Sequence, residues 1–350
     1  MVGTKKGIVL MNLGSPESTN VKDVRRYLNE FLMDERVIDM SYILRLLLVR
    51  GIIVPFRAPK SAEAYRSIWT KEGSPLIVLS KQLQEAFQHV VEEPVTIAMR
   101  YGNPSPKAAY DELLAKNPKM EEVILVPLYP HYAMSSYETA VEYAKEIHKK
   151  HGYKFKLTII KPFYNDKDYL HALTESIRPY LQKEFDHIVF SYHGIPERHV
   201  QKTDITNSHC LKVADCCNVD SAAHAYCYRH QCLFTTNNVA AQLQIPKEKF
   251  SFSFQSRLGR DEWLKPYTVV RLQEMPKEGI KKLVIVCPAF ISDCLETLEE
   301  IAEEGKEIFL HAGGEEFTLI PCLNIHPLLI AMLKKWVDEY SKGERKMILS

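Results

Sequence analysis

One histidine, a row of carboxylates and a knot of cysteines are the residues of this chain whose types and spacing could do chemistry. His193 ends the apolar run "IVFSY" and precedes a Gly-x-Pro turn, so its imidazole stands on a stiff corner at a strand's carboxyl end. Neutral imidazole can accept a proton or bind a metal near pH 7. The plainer alternative is a hydrogen-bonded turn histidine. In "SDCLETLEEIAEEG", Ser292 can cap a helix starting at Asp293, with Leu295, Leu298 and Ala302 as its apolar stripe. Asp293, Glu296 and Glu300 then share another face at i, i+3 and i+7. Such a row is either a solvated helix face or, just after a strand, a place to hold a hard divalent cation or relay protons. Four of the eight cysteines, Cys210, Cys216, Cys217 and Cys227, crowd into "CLKVADCCNVDSAAHAYC".

The elements that must position these residues are legible as six apolar, β-branched runs. They are "GIVLMNLGSP", "VTIAMRYGNP" and "VILVPLYPHY", then "HIVFSYHGIP", "FSFSFQSRLG" and "LVIVCPAFISD". Runs of this kind with amphipathic segments between them read as buried parallel strands joined by crossover helices. The two sets match in order: Leu13-Gly14-Ser15-Pro16 with His193-Gly194-Ile195-Pro196, Arg100-Tyr101-Gly102 with Arg257-Leu258-Gly259, and Pro127 with Pro288. The expected fold is α/β, with two Rossmann-like lobes of similar plan. The expected bounds are residues 1–165 and 166–325, with 326–350 as a C-terminal amphipathic stretch packing back on the lobes. Ligands in such sheets collect at the carboxyl ends of the strands, and no GxGxxG, P-loop or GxSxG motif is present to direct the search elsewhere.

Composition removes some classes. Lys+Arg is 45 against Asp+Glu 44 in 350 residues, which argues against nucleic acid as a partner. The opening "MVGTKKGIVLMNLG" reads as a first strand rather than a signal peptide. That reading favours a reducing cytoplasm, where clustered cysteines serve metals or redox chemistry. The segment "ILRLLLVRGIIVPF" (43–56) is too short to span a bilayer and carries Arg45 and Arg50. It is expected to be a buried helix and turn, or a lip facing an apolar ligand, ahead of peripheral membrane contact.

Together, "FSYHGIP", "DCLETLEEI", "SFQSRLGRDEWLKPYT" and "VLMNLGSPES…VRRYLNEFL" resemble ferrochelatase, in the right order from about residue 7 to about residue 325. The resemblance implies insertion of ferrous iron, as substrate, into a porphyrin held between two lobes. It implies that His193 and Glu296 bind iron and remove pyrrole protons, and that Asp293 and Glu300 belong to an acidic path. Arg57, Tyr65 and Ser74 match porphyrin-contact positions; Lys60 suits a propionate, Leu13 lies in the matching opening strand, and 43–56 corresponds to a lip of the pocket. Some members carry His directly after the acidic helix's Asp, where this chain has Cys294. The opening "MNLGSPES" leans towards protoporphyrin IX over coproporphyrin III. A chelatase for another tetrapyrrole, or a non-catalytic cluster-bearing haem-handling or redox-sensing protein on this scaffold, are the alternatives.

Family members without a metal centre run from "HGIP" almost directly to a "Y-x-x-Q-C" segment, which matches "YRHQC" (228–232) here. Cys232 is then the ordinary family cysteine and roughly 205–227 is extra. Four thiolates suit a 2Fe-2S cluster, with Cys232 as a substitute ligand. Structural zinc is the alternative, although C-x5-C-C-x9-C lacks paired C-x2-C knuckles.

Overall fold

A computed structural model describes residues 5–257, 259 and 261–349. In the first unit, β1 (Lys6–Ser15), β2 (Val95–Gly102), β3 (Glu122–Pro127) and β4 (Lys156–Ile159) form a parallel sheet in the order β2-β1-β3-β4. In the second, β5 (His187–His193), β6 (Phe250–Gln255), β7 (Lys282–Val286) and β8 (Glu316–Leu319) repeat that order as β6-β5-β7-β8. The expected α/β architecture of two Rossmann-like parallel sheets is present. The central strands are buried along almost their whole length, as sheets covered on both faces require. The second unit has a core of Val189, Leu272, Met275, Leu283, Ile285, Cys287, Ile301 and Phe309. Each large apolar side chain buried there contributes about 1.5–3 kcal/mol.

The first unit comprises the chain up to Tyr129, Met134–Pro162 and Ile330 onward; the second comprises Pro130–Ala133 and Phe163–Leu329. The helix Pro327–Ser341 thus leads the chain back to the first unit. There the Tyr340 hydroxyl bonds to Glu122, and Ile348 bridges to Ile160.

In each sheet the chain leaves the central strand to one side, then crosses to the other. That makes a topological switch point between β1 and β3, and another between β5 and β7. Both central strands end on a glycine pressed against a neighbouring carbonyl. A Cβ on Gly14 would lie 1.8 Å from the Tyr101 oxygen, and one on Gly194 would lie 2.7 Å from the Gln255 oxygen. Gln255 therefore stands where Tyr101 stands. The expected match of Arg100-Tyr101-Gly102 with Arg257-Leu258-Gly259 does not hold, because the first triplet lies inside β2 while Arg257 and Gly259 lie beyond the end of β6. Leu258 of that triplet lies outside the described residues.

Most of residues 43–56 is exposed or half-buried rather than buried; Arg45, Val49 and Val54 are the buried positions. The helix Tyr42–Leu48, a π turn over Val49–Ile53 and the helix Val54–Ile68 follow without a break. Tyr42, Ile43, Leu44, Leu47, Ile52 and Phe56 are each more than half exposed, whereas Arg45 is buried. Its Nη1 donates to the carbonyls of Ile38 (3.1 Å) and Met40 (3.0 Å). The arginine turns inward onto those carbonyls, while Leu44 and Leu47 stay exposed and Leu46 and Leu48 are half-buried. Among the described residues, no helix is long and apolar enough to cross a membrane.

Candidate active site and cysteine loop

β5 and β7, the adjacent strands at the second switch point, each carry a chemical group just beyond their carboxyl ends. His193 closes β5 half-buried, and its Nδ1 lies 2.7 Å from the Gly194 carbonyl. A carbonyl can only accept, so Nδ1 carries the proton and Nε2 holds the lone pair of the neutral ring. The Tyr228 hydroxyl donates to the His193 carbonyl (2.9 Å), and the Phe290 ring meets the imidazole edge-on.

The acidic segment after β7 differs from its sequence reading. The helix is Leu295–Leu298 and continues as a π turn over Glu300–Gly305. Cys294, not Ser292, is the cap, sharing a capping box with Thr297; Ser292 is buried and its hydroxyl makes no cap. The buried line is Thr297, Ile301 and Gly305, while Leu295, Leu298 and Ala302 are only half-buried. A π turn inserts a residue into the helical count, so stripes projected at 3.6 residues per turn miss their faces.

Asp293, buried ahead of the helix, accepts from Thr297 Oγ1 (3.0 Å), the Cys322 amide (3.2 Å) and Asn324 Nδ2 (2.6 Å). Its own amide donates to Asn324 Oδ1 (2.9 Å). Glu296 and Glu300 are half-buried, and Glu300 accepts from the Ser256 hydroxyl. Burial, then the charges of Glu304, Glu303 and Glu296, push Glu299 up to about 7. No single helix face gathers Asp293 with Glu296 and Glu300, since Asp293 precedes the helix and is bonded to the loop carrying Cys322 and Asn324. Gln255 and Glu299, by contrast, gave no signal in the sequence beyond lying in apolar or acidic runs.

The expected porphyrin contacts belong to the first unit. Arg57 and Lys60 stand one turn apart on Val54–Ile68, half-exposed and exposed respectively. Leu13 is half-buried near the end of β1. Tyr65 is buried and packs edge-on against Tyr27 and Trp69, and Ser74 is buried at the start of Pro75–Gln88. Arg57, Lys60 and Leu13 therefore have surface to offer a ligand, whereas Tyr65 and Ser74 are buried.

Cys210, Cys216, Cys217 and Cys227 are buried reduced thiols in the crossover between β5 and β6. Cys227 bonds to both Cys210 and Cys217, and Cys217 to Cys216. Donors point at the sulfurs: the Leu211 amide at Cys216 (3.4 Å), Arg229 Nη1 at Cys217 (3.2 Å) and the His230 amide at Cys227 (3.5 Å). His209 and His224 each place Nε2 on the Cys216 carbonyl (2.7 and 2.9 Å), and His230 places Nδ1 on the Cys217 carbonyl (2.8 Å). Asp204 accepts from the amides of His209 and Cys210 (2.8 Å each) and so fixes the loop's start. Burial pushes the Cys210 thiol up to about 11, and the Cys217 thiol is raised by its bond to Cys227 and by burial. Cys232 is fully buried and hydrogen-bonded to Tyr228; burial raises its thiol, and Cys217 is close enough to help. Among the described residues, no group of three or more His, Cys, Asp or Glu side chains is arranged to hold a metal ion. The thiols meet as a chain of pairs.

Comparison with known proteins agrees with this geometry. The family model described as Ferrochelatase matches residues 5–341. A ferrochelatase of Stutzerimonas stutzeri is 50% identical over 325 residues, covering 92% of this chain and 94% of its own. One of Opitutus terrae is 49% identical over 344 residues, covering 97% and 99%. Among solved structures, SirB from Bacillus subtilis with Fe3+ aligns with a TM-score of 0.54 at 14% identity, covering 99% of this chain and all of its own. That last likeness is one of fold. With a match along nearly its whole length and half its residues shared with such relatives, the chain belongs to the ferrochelatase family and is an enzyme that inserts iron into a porphyrin.

Proposed function

We propose that the porphyrin is protoporphyrin IX, converted to haem with release of two protons, with coproporphyrin III as the alternative substrate. What supports the site assignment is that His193 ends β5 and the acidic segment follows the adjacent strand β7, with Gln255 bonded to both the Gly194 amide and the Glu296 carbonyl. Two pyrrole N–H bonds must break as iron bonds to the four nitrogens. A ring held bent exposes those lone pairs to the metal. His193 accepts pyrrole protons at Nε2, the position its tautomer leaves basic. Glu296 shares iron binding and proton removal, and Glu300 passes protons onward. Asp293 belongs to the same path as its anchor, because its oxygens are already taken by three donors. Arg57 and Lys60 pair with two propionates, Leu13 meets the ring, and Tyr65 and Ser74 back the wall. The exposed apolar row from Tyr42 to Phe56 suits a ring edge bearing vinyl groups better than one bearing two further carboxylates. The same row would rest against a bilayer surface in the cytoplasm.

The test is an anaerobic assay of ferrous iron with protoporphyrin, coproporphyrin and sirohydrochlorin, read as loss of free-porphyrin fluorescence. His193→Ala should abolish insertion while protoporphyrin still binds. Near-normal turnover in that variant would remove His193 from the mechanism.

The cysteine loop is the seat of a 2Fe-2S centre held by Cys210, Cys216, Cys217 and Cys227. Four buried thiols linked pairwise are costly to ionise unless a cation is supplied, and N–H donors aimed at sulfur gain most when the sulfur is anionic. Cys232 hydrogen-bonds to Tyr228 rather than to the other four thiols, which argues against it as a ligand. When bound, such a centre supplies one-electron redox capacity, which inserting ferrous iron does not require. A colourless protein as purified, with zinc but no iron or sulfide, would replace this reading by the zinc one.

A further inference from the structure

The residue that the site assignment leaves without a role of its own is Gln255, the last of β6 and the first polar side chain of "FQSR". It is 4% exposed, and both ends of its amide are engaged. Nε2 donates to the carbonyl of Glu296 (3.0 Å). Oε1 accepts from the Ser191 hydroxyl (2.7 Å) and from the Cys287 thiol (3.7 Å). Behind Ser191 stands Thr268 (3.0 Å), itself bonded to Ser253 (2.8 Å). The main chain of the same residue holds the other half of the site. Gln255 pairs with His193 across the strands, and its carbonyl accepts the Gly194 amide (2.8 Å) where only a glycine fits.

One residue therefore touches the His193 turn through its backbone and the Glu296 turn through its side chain. The Glu296 helix has four residues before it gives way to a π turn, too few of its own hydrogen bonds to fix its direction. An amide pinned from behind by Ser191 and Cys287 supplies that fixing from outside the helix.

We propose that Gln255 is a positioning residue for iron insertion, setting where Glu296 stands relative to His193 without touching substrate. This rests on the assignment of Glu296 to the reaction. Misplacing a reacting group by an ångström costs up to about a hundredfold in rate.

The experiment measures kcat for ferrous iron insertion and Kd for protoporphyrin by fluorescence in Gln255→Glu, Gln255→Leu, Glu296→Gln and the double variant Gln255→Leu/Glu296→Gln. Gln255→Glu keeps acceptors for Ser191 and Cys287 and, once ionised, sets a carboxylate oxygen against the Glu296 carbonyl, whereas its protonated form still donates there; its kcat is therefore read from pH 6 to pH 9 against wild type, and it stands in where Gln255→Leu fails to fold. Val189→Ala, in the core of the same lobe, is the control for loss of stability alone. The expected result is a fall in kcat of about ten- to a hundredfold in both Gln255 variants. Porphyrin Kd should stay within about twofold, and the double variant should be no slower than Glu296→Gln. Wild-type kcat in Gln255→Leu, wild-type kcat in Gln255→Glu across that pH range, or losses that multiply in the double variant would overturn the proposal while leaving Glu296 in place. Full activity in Glu296→Gln would overturn the assignment beneath it, and the proposal with it.

Discussion

Asp293 is the carboxylate whose replacement the structure prices most directly. Its two oxygens receive Thr297 Oγ1, the Cys322 amide and Asn324 Nδ2, and its amide returns a bond to Asn324 Oδ1. Asp293→Ala leaves all three donors without their acceptor in a site only 6% exposed. A hydrogen bond to a charged group is worth about 1.5–3 kcal/mol, but three that share one carboxylate do not add, so the loss should be about 3–5 kcal/mol. Asp293→Asn keeps an acceptor for Thr297 and Cys322 and turns an NH2 group towards that of Asn324. Relief by flipping Asn324 would take away the acceptor of the residue 293 amide, so one bond is lost either way, at about 1.5–3 kcal/mol. In a lobe of this size that corresponds to a fall in Tm of about 5–10 °C. Thermal unfolding followed by circular dichroism gives the order wild type, Asp293→Asn, Asp293→Ala. Adding Asn324→Asp to Asp293→Asn reverses the pair and should recover most of the loss. Wild-type melting of Asp293→Ala would refute the reasoning.

Glu299 makes stability depend on pH in the sense opposite to a salt-bridged carboxylate. Its folded pKa, about 7, lies above the ordinary 4.5, so its contribution is fully present below about pH 4.5 and is lost as pH rises through 7. Discounted for solvent screening, Glu299→Gln should stabilise the protein by about 1 kcal/mol at pH 8 and do nothing at pH 4; equal Tm values at pH 8 would count against it. Arg229 lends its guanidinium to Cys217 Sγ, so Arg229→Leu should lower the reduction potential of the proposed cluster and hasten its loss in air, read by electron paramagnetic resonance and visible absorbance. An unchanged potential would leave Arg229 as a packing residue only.

Five of the six strands that the sequence announced are buried along most of their length and mostly apolar, as strands covered on both faces must be, whereas β6, "FSFSFQ", alternates and is only half-buried over its first three residues. β4 and β8 were not announced. They are four-residue edge strands, partly exposed, and "KLTI" and "EFTL" carry no such run. His193 was legible because strand, histidine and turn are contiguous. The acidic segment was legible in place but not in phase, since nothing local signals a π turn. Arg45 turning inward and Gln255 reaching Glu296 are tertiary events, set by which carbonyls need a donor, and periodicity does not encode them. Two lobes of one plan were visible in the glycine corners at 14 and 194, while the triplet match at 257 failed because strand lengths differ.

The cysteine loop occupies the crossover between β5 and β6, and this bears on how such a chain can evolve. A crossover may grow without shifting the register of either strand, and each doubling of a flexible loop costs only about 0.6 kcal/mol in closure entropy. A loop such as the one proposed to hold the cluster can therefore be gained or lost in a single insertion or deletion, with the sheet left unrebuilt. What selection cannot relax is the landing point. The helix that follows, Tyr228–Gln242, must still arrive with its first residue's hydroxyl on the His193 carbonyl. The loop is free in length and in cargo, and constrained in where it ends.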